Sequence, residues 1–194
     1  MGPGHGGSVT PGPGHNRGPE MTGLSWRSHC WRAARARLLP TLPIEVVRLR
    51  VRRAQELGLE YKTYAGIRAS TGHDLVAFLF SSNALGLVAR GRDIATTTAA
   101  KLGAIKGAQR IGLATPPLSP EALLAQAPML EAVHRAPLHL AGFAQARAQI
   151  RAAIGQMPAD TVLLVGDHAL EAEWCAAGRL AGYLPAEQYF GTRT

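Results

Sequence analysis

Cysteine is scarce in this sequence, lysine is scarcer than the positive charge would suggest, and a long apolar run is missing. The two cysteines, Cys30 and Cys175, are too few for a disulfide framework or a cysteine-rich metal site. The N-terminus also lacks the basic-then-apolar order of a secretion signal, so both thiols are expected to be reduced in a cytoplasmic protein. The longest uncharged apolar stretch, LVAFLFSSNALGLVA, is about fifteen residues long and is interrupted by Ser-Ser-Asn. It is too short and too polar to cross a hydrocarbon layer of roughly 30 Å, so no membrane contact is expected. Several catalytic signatures are absent as well. There is no GxxxxGK[ST] loop, GxGxxG after a strand, HExxH or GxSxG, and GIRASTG lacks the lysine that would meet a phosphate. No catalytic residue, metal site or cofactor is therefore assigned.

The charge that is present is unevenly placed. Eleven basic residues face four acids up to residue 70, whereas the remainder carries ten bases and nine acids, so nearly all of the net +8 lies in the first third. A concentrated positive field attracts nucleic acid or an acidic protein surface. Only three of the 21 bases are lysine, however, and a solvated basic helix in an arginine-rich chain fits the same composition. Residues 1–23 hold eight Gly and four Pro and are too poor in apolar side chains to offset the entropy of ordering; a disordered tail is expected. Residues 24–71 read as a basic helical segment. In it, Trp26 to Leu39 is amphipathic, Pro40 stops that helix, and a second helix carries a stripe of Ile44, Val47, Val51, Ala54 and Leu57. Gly58 ends this helix, and Tyr61 to Ser70 forms a third, closed by Thr71-Gly72.

From residue 72 to 194 strands alternate with helices. HDLVAFLFSS, QRIGLAT and TVLLVG are strand-length apolar runs, and PLHLAG is either a strand or a connection. Helices are expected over Gly91 to Gly107, from Ser119-Pro120-Glu121 onward, over Phe143 to Gly155, and through HALEAEWCAAGRLAGYL. The fold class expected is α/β: a small Rossmann-like parallel sheet with flanking helices, preceded by the basic helical segment and the tail.

In open parallel sheets the ligand crevice lies beyond the carboxyl ends of the strands. Those ends carry Ser81, Ser82, Asn83, Thr115, Asp167 and His168, which together form a candidate polar pocket. The same residue types also turn chains and cap helices, so ordinary strand termination accounts for them equally. The stretch TVLLVGDHALEAEWCAAGRLAGYLPAEQYF resembles the last acidic motif of haloacid-dehalogenase-like phosphatases, with Asp167 and Glu171 at the two acid positions. In that family these acids hold magnesium, and Thr115 matches a strand-end hydroxyl set against the phosphate. The resemblance covers about a third of the chain. It implies a degenerate domain that binds a nucleotide or phosphate ester. FLFSSNAL stands where the family's two nucleophile-strand aspartates belong, with Leu79 and Ser81 at their places. Without those carboxylates no aspartyl-phosphate can form and magnesium is poorly held.

AQELGLEYKTYAGIRAST has the pattern of a helix-turn-helix: small Ala54 inside the first helix, Gly58 at the turn, and Leu59, Tyr64 and Ile67 to bury the second. Across residues 43–70 such a hairpin presents Arg48, Arg50, Arg52, Arg53, Tyr61, Lys62, Thr63 and Arg68 to phosphates or base edges. The alternative is a purely structural hairpin. The leading expectation is a non-enzymatic nucleic-acid-associated or regulatory protein. The alternatives are the phosphate-binding domain and a module that docks a partner protein.

Overall fold

The computed structural model describes residues 42–87, 93–138 and 140–191. The expected tail over 1–23 and the expected helix from Trp26 to Leu39 lie outside the described residues. Two helices come first: α1 (Ile44–Glu56) and α2 (Tyr61–Thr71). Gly58 joins them at a φ of 67°, a left-handed conformation that favours glycine. Then follow β1 (Ala77–Ser81), α3 (Thr96–Ala104), β2 (Gln109–Ala114), α4 (Pro120–Gln126), β3 (Ala132–Arg135) and α5 (Phe143–Ile154). A single 3₁₀ turn over Ala159–Thr161 leads into β4 (Val162–Gly166), α6 (Glu171–Gly178), β5 (Gly182–Pro185) and α7 (Ala186–Phe190).

All neighbouring strands pair parallel, in the order β3-β2-β1-β4-β5. The α/β class read from the sequence is the fold observed. Alternation along the central strands divides the core in two. Phe78, Phe80, Leu163 and Val165 face a layer that includes Ala54, Leu57 and Tyr64 of the α1–α2 hairpin, with Leu102 and Tyr189. Ala77, Leu79, Ile111, Leu113, Val162 and Leu164 face Ile150 of α5 and Trp174 of α6. A side chain of this size contributes about 2 kcal/mol when fully buried, so strands apolar on both faces belong at the centre of a covered sheet.

Local signals explain several boundaries. The Ser119 side chain accepts a hydrogen bond from the Ala122 amide and caps α4, with Pro120 at its start. The stripe expected on α1 is buried only in its later part: Ala54 and Leu57 are in the core, whereas Ile44 is exposed, as is Leu49. The last strand, β5, begins inside the stretch expected to continue as helix to Leu184. The helix instead stops at Gly178, where Arg179 takes a left-handed conformation and lets the chain turn back to the sheet. β3 forms at AVHR rather than at PLHLAG. Among the described residues no helix is long and apolar enough to cross a membrane.

Candidate functional site

Strand order fixes where a site can form. The chain steps from β1 outward to β2 and β3, then returns to the other side of β1 with β4 and β5. The connections after β1 and β4 thus diverge, and the gap beyond their carboxyl ends is the topological switch point. Ser81, Ser82 and Asn83 lie at the end of β1, Thr115 follows β2, and all four are buried. Gly166 ends β4, and α6 begins with Glu171, whose side chain is fully buried in this gap.

The Glu171 carboxylate is the centre of the arrangement. Its Oε2 accepts hydrogen bonds from Ser81 Oγ at 2.9 Å and from the Asp167 amide at 2.7 Å, with the His168 amide more distant at 3.4 Å. Its Oε1 accepts from Asn83 Nδ2 at 2.8 Å. Gly166 makes the approach possible: a Cβ there would stand 2.5 Å from Oε2 and 2.6 Å from the Tyr183 ring. Tyr183 closes the outer side and donates its hydroxyl to the His168 carbonyl at 3.0 Å. Burial, and then the charges of Glu171 and Asp167, push its phenol up to about 12, so the hydroxyl stays protonated as a donor.

A second set of bonds extends the network toward β2. Ser82 Oγ and Thr115 Oγ1 are hydrogen-bonded, Thr115 Oγ1 donates to Asn83 Oδ1 at 3.2 Å, and the Thr115 amide donates to Ser82 Oγ at 3.1 Å. Each hydroxyl has one proton. Because Thr115 gives its proton to Asn83, Ser82 must be the donor in the Ser82–Thr115 bond. The protons therefore run one way: Ser82 to Thr115, Thr115 to Asn83, Asn83 to Glu171. Ser81 gives its proton to Glu171 and accepts from the Ala84 amide at 3.0 Å. Cooperative chains of this kind are rigid when every member is satisfied.

The six residues expected at the strand ends thus divide into two kinds. Ser81, Ser82, Asn83 and Thr115 meet through their side chains. Asp167 and His168 are exposed and reach the centre through backbone amides. From the end of β1, Ser81 and Asn83 reach the Glu171 carboxylate. Leu79 lies one step back in the core, packed in the cluster that holds Leu164 and Trp174. Glu171 was read from the sequence only as an acid of the resembling motif, yet it fills the gap. Its spacing after Asp167 was the available signal, but not the inward turn of its side chain. Chemically the site is an anion cradle already holding an anion. Ser81 and Glu171 are both fully buried. An external phosphate would have to displace the Glu171 carboxylate.

The basic residues of the hairpin are dispersed. Arg48 and Arg52 lie exposed one helical turn apart on α1, with Arg48 paired to Glu45 at 2.8 Å. Arg50 is half-buried on the inward side with Val47 and Ala54. Arg53 is turned inward and fully engaged: it bonds Asp74, Glu56 and the carbonyls of Leu75, Lys106 and Gly107. Arg68 stands 3.9 Å from Asp74, which also accepts the Tyr64 hydroxyl at 2.9 Å. That bond and burial raise the Tyr64 phenol, with burial the larger cause. On α2, Lys62 is exposed, while Tyr61 and Thr63 are half-buried. Among the described residues no three His, Cys, Asp or Glu side chains gather as a metal site. Comparison with known proteins found no matching family model, no matching curated protein and no matching solved structure.

Proposed function

We propose that this chain is a non-enzymatic cytoplasmic protein that binds an acidic partner, nucleic acid in the first instance, through the outer side of the α1–α2 hairpin. The observation that carries the reading is a contrast in availability. The polar crevice of the sheet is closed by its own carboxylate, whereas Arg48, Arg52 and Lys62 stand exposed. The Glu45 pair does not withdraw Arg48 from use, because both side chains are about 70% exposed and such pairs contribute little in water. Arg53 has no part in the contact.

A contact of two or three cations gives a modest salt dependence. Each neutralised phosphate contributes about −0.9 to the slope of log K against log salt, so a slope of about −2 to −3 is expected for a duplex. Fluorescence anisotropy with a short labelled DNA duplex and a single-stranded RNA measures this directly. The double substitution Arg48→Glu with Arg52→Glu is expected to abolish binding at low salt and leave the melting temperature nearly unchanged. Absence of binding by the unsubstituted chain to either probe at low salt would overturn the reading.

A further inference from the structure

A cleft of about 270 Å³ opens where the α1–α2 turn meets α3 and α7. Leu59, Glu60 and Thr63 from the turn and α2, Lys101 from α3, and Gln188 and Phe190 from α7 line it. The Tyr189 hydroxyl of α7 donates to the Leu57 carbonyl at 2.9 Å. The Tyr189–Leu57 bond holds α7 against the turn at the base of the cleft.

Lys101 is the unusual feature. Its ammonium is half-buried, donates to the Tyr189 carbonyl and sits 4.6 Å from the centre of the Tyr189 ring. Among the described residues no carboxylate lies within 4.0 Å of it. An ammonium has three N–H donors, and among the described residues it makes one hydrogen bond, to the Tyr189 carbonyl. Burial lowers its pKa, while the charge of Glu60 works in the opposite direction. A partly desolvated cation with no ion-pair partner among the described residues, facing a mostly polar cleft that Phe190 also lines, is a receptor for a small anion.

We propose that this cleft binds a small organic carboxylate, its charged end on Lys101 and its apolar body against Phe190. Size and charge together choose the class. Ligand pockets commonly span roughly 300–1,000 Å³, so this cleft suits a small metabolite and not a nucleotide. Glu60 at the rim opposes a second negative charge, which favours a monocarboxylate over a phosphate monoester. The site does not include Arg48 or Arg52 of α1.

The test uses the full chain with benzoate, its neutral isostere benzamide, and phenyl phosphate, read by ligand-observed NMR and thermal shift. Benzoate is expected to bind at least about tenfold more tightly than benzamide, which corresponds to ~1.4 kcal/mol. Lys101→Met retains the apolar stem and is expected to erase that preference. Gln188→Trp, at an exposed position, is expected to fill the cleft and remove binding at an unchanged melting temperature; it serves where the Lys101 variant fails to fold. Equal binding of benzoate and benzamide, preference for phenyl phosphate, no binding of any probe, or retained preference in Lys101→Met would each overturn the proposal.

Discussion

Glu171→Ala is expected to lower stability by about 4 kcal/mol, a drop of roughly 8–16 °C in melting temperature for a domain of this size. The carboxylate is fully buried and accepts from Ser81, Asn83 and the Asp167 amide at 2.7–2.9 Å. Truncation removes all of these acceptors at once, and buried donors left without partners cost about 1–3 kcal/mol each. Ser81 can rotate its hydroxyl to another acceptor. Asn83 cannot do so freely, because its Oδ1 is held by Thr115. Glu171→Gln should fall between the two, since one end of the amide still accepts from Ser81 while the other sets its N–H₂ against Asn83 Nδ2. A flip of Asn83 relieves that clash only by breaking the Thr115 bond.

This variant also separates a cradle from a merely polar patch. If the donors are arranged for an anion, formate or acetate should enter the space left by Glu171→Ala and recover part of the lost melting temperature. The same salts should leave the unsubstituted protein unmoved, because its own carboxylate is in place. Thermal unfolding across a formate series, with chloride as the ionic-strength control, reads the difference. Equal responses to formate and chloride would show that these donors impose no preference for a carboxylate.

Much of the sheet is legible in the sequence because its central strands are apolar on both sides. AFLFS and VLLVG can be buried only under two helical layers, and they lie side by side in the sheet. The edges are less legible for the same reason in reverse. AVHR is only half-buried and carries no continuous apolar run, and GYLP follows an Ala-rich helix with only Arg179-Leu180-Ala181, and no proline, between them. The break there depends on Arg179 adopting a left-handed backbone, an uncommon conformation for a non-glycine residue. At the crevice, Ser81, Ser82, Asn83 and Thr115 could be listened for as polar strand ends, but whether Glu171 faced outward to a ligand or inward to those donors depends on the approach of α6 over Gly166. The arginines show the same limit. Arg52 and Arg53 are adjacent in sequence, yet one is exposed and the other is turned into the fold. A charge count sees two equal cations, whereas helix geometry, at 100° per residue, sends them to different environments.

Arg53 accordingly yields the second large effect, an expected loss of about 3 kcal/mol on substitution by alanine, or roughly 6–12 °C. Its side chain is 19% exposed, and all three guanidinium nitrogens are used: Nε to Asp74 at 3.0 Å, Nη1 to Glu56 and the Lys106 carbonyl, and Nη2 to the carbonyls of Leu75 and Gly107. These acceptors come from α1 itself, from the approach to β1 and from the loop between α3 and β2, so one planar group fastens the hairpin to the sheet. Lysine cannot reproduce the fork, and Arg53→Lys should recover less than half of the loss. Arg52→Ala, at the neighbouring exposed position, should stay within about 0.5 kcal/mol of the unsubstituted chain. Carried into the anisotropy measurement, the two arginines should trade places: Arg53→Ala melts early but binds the duplex undiminished while folded, and Arg48→Glu with Arg52→Glu melts normally but does not bind. An Arg53→Ala protein of normal stability that fails to bind would place the acidic partner at the hairpin's inner seam instead.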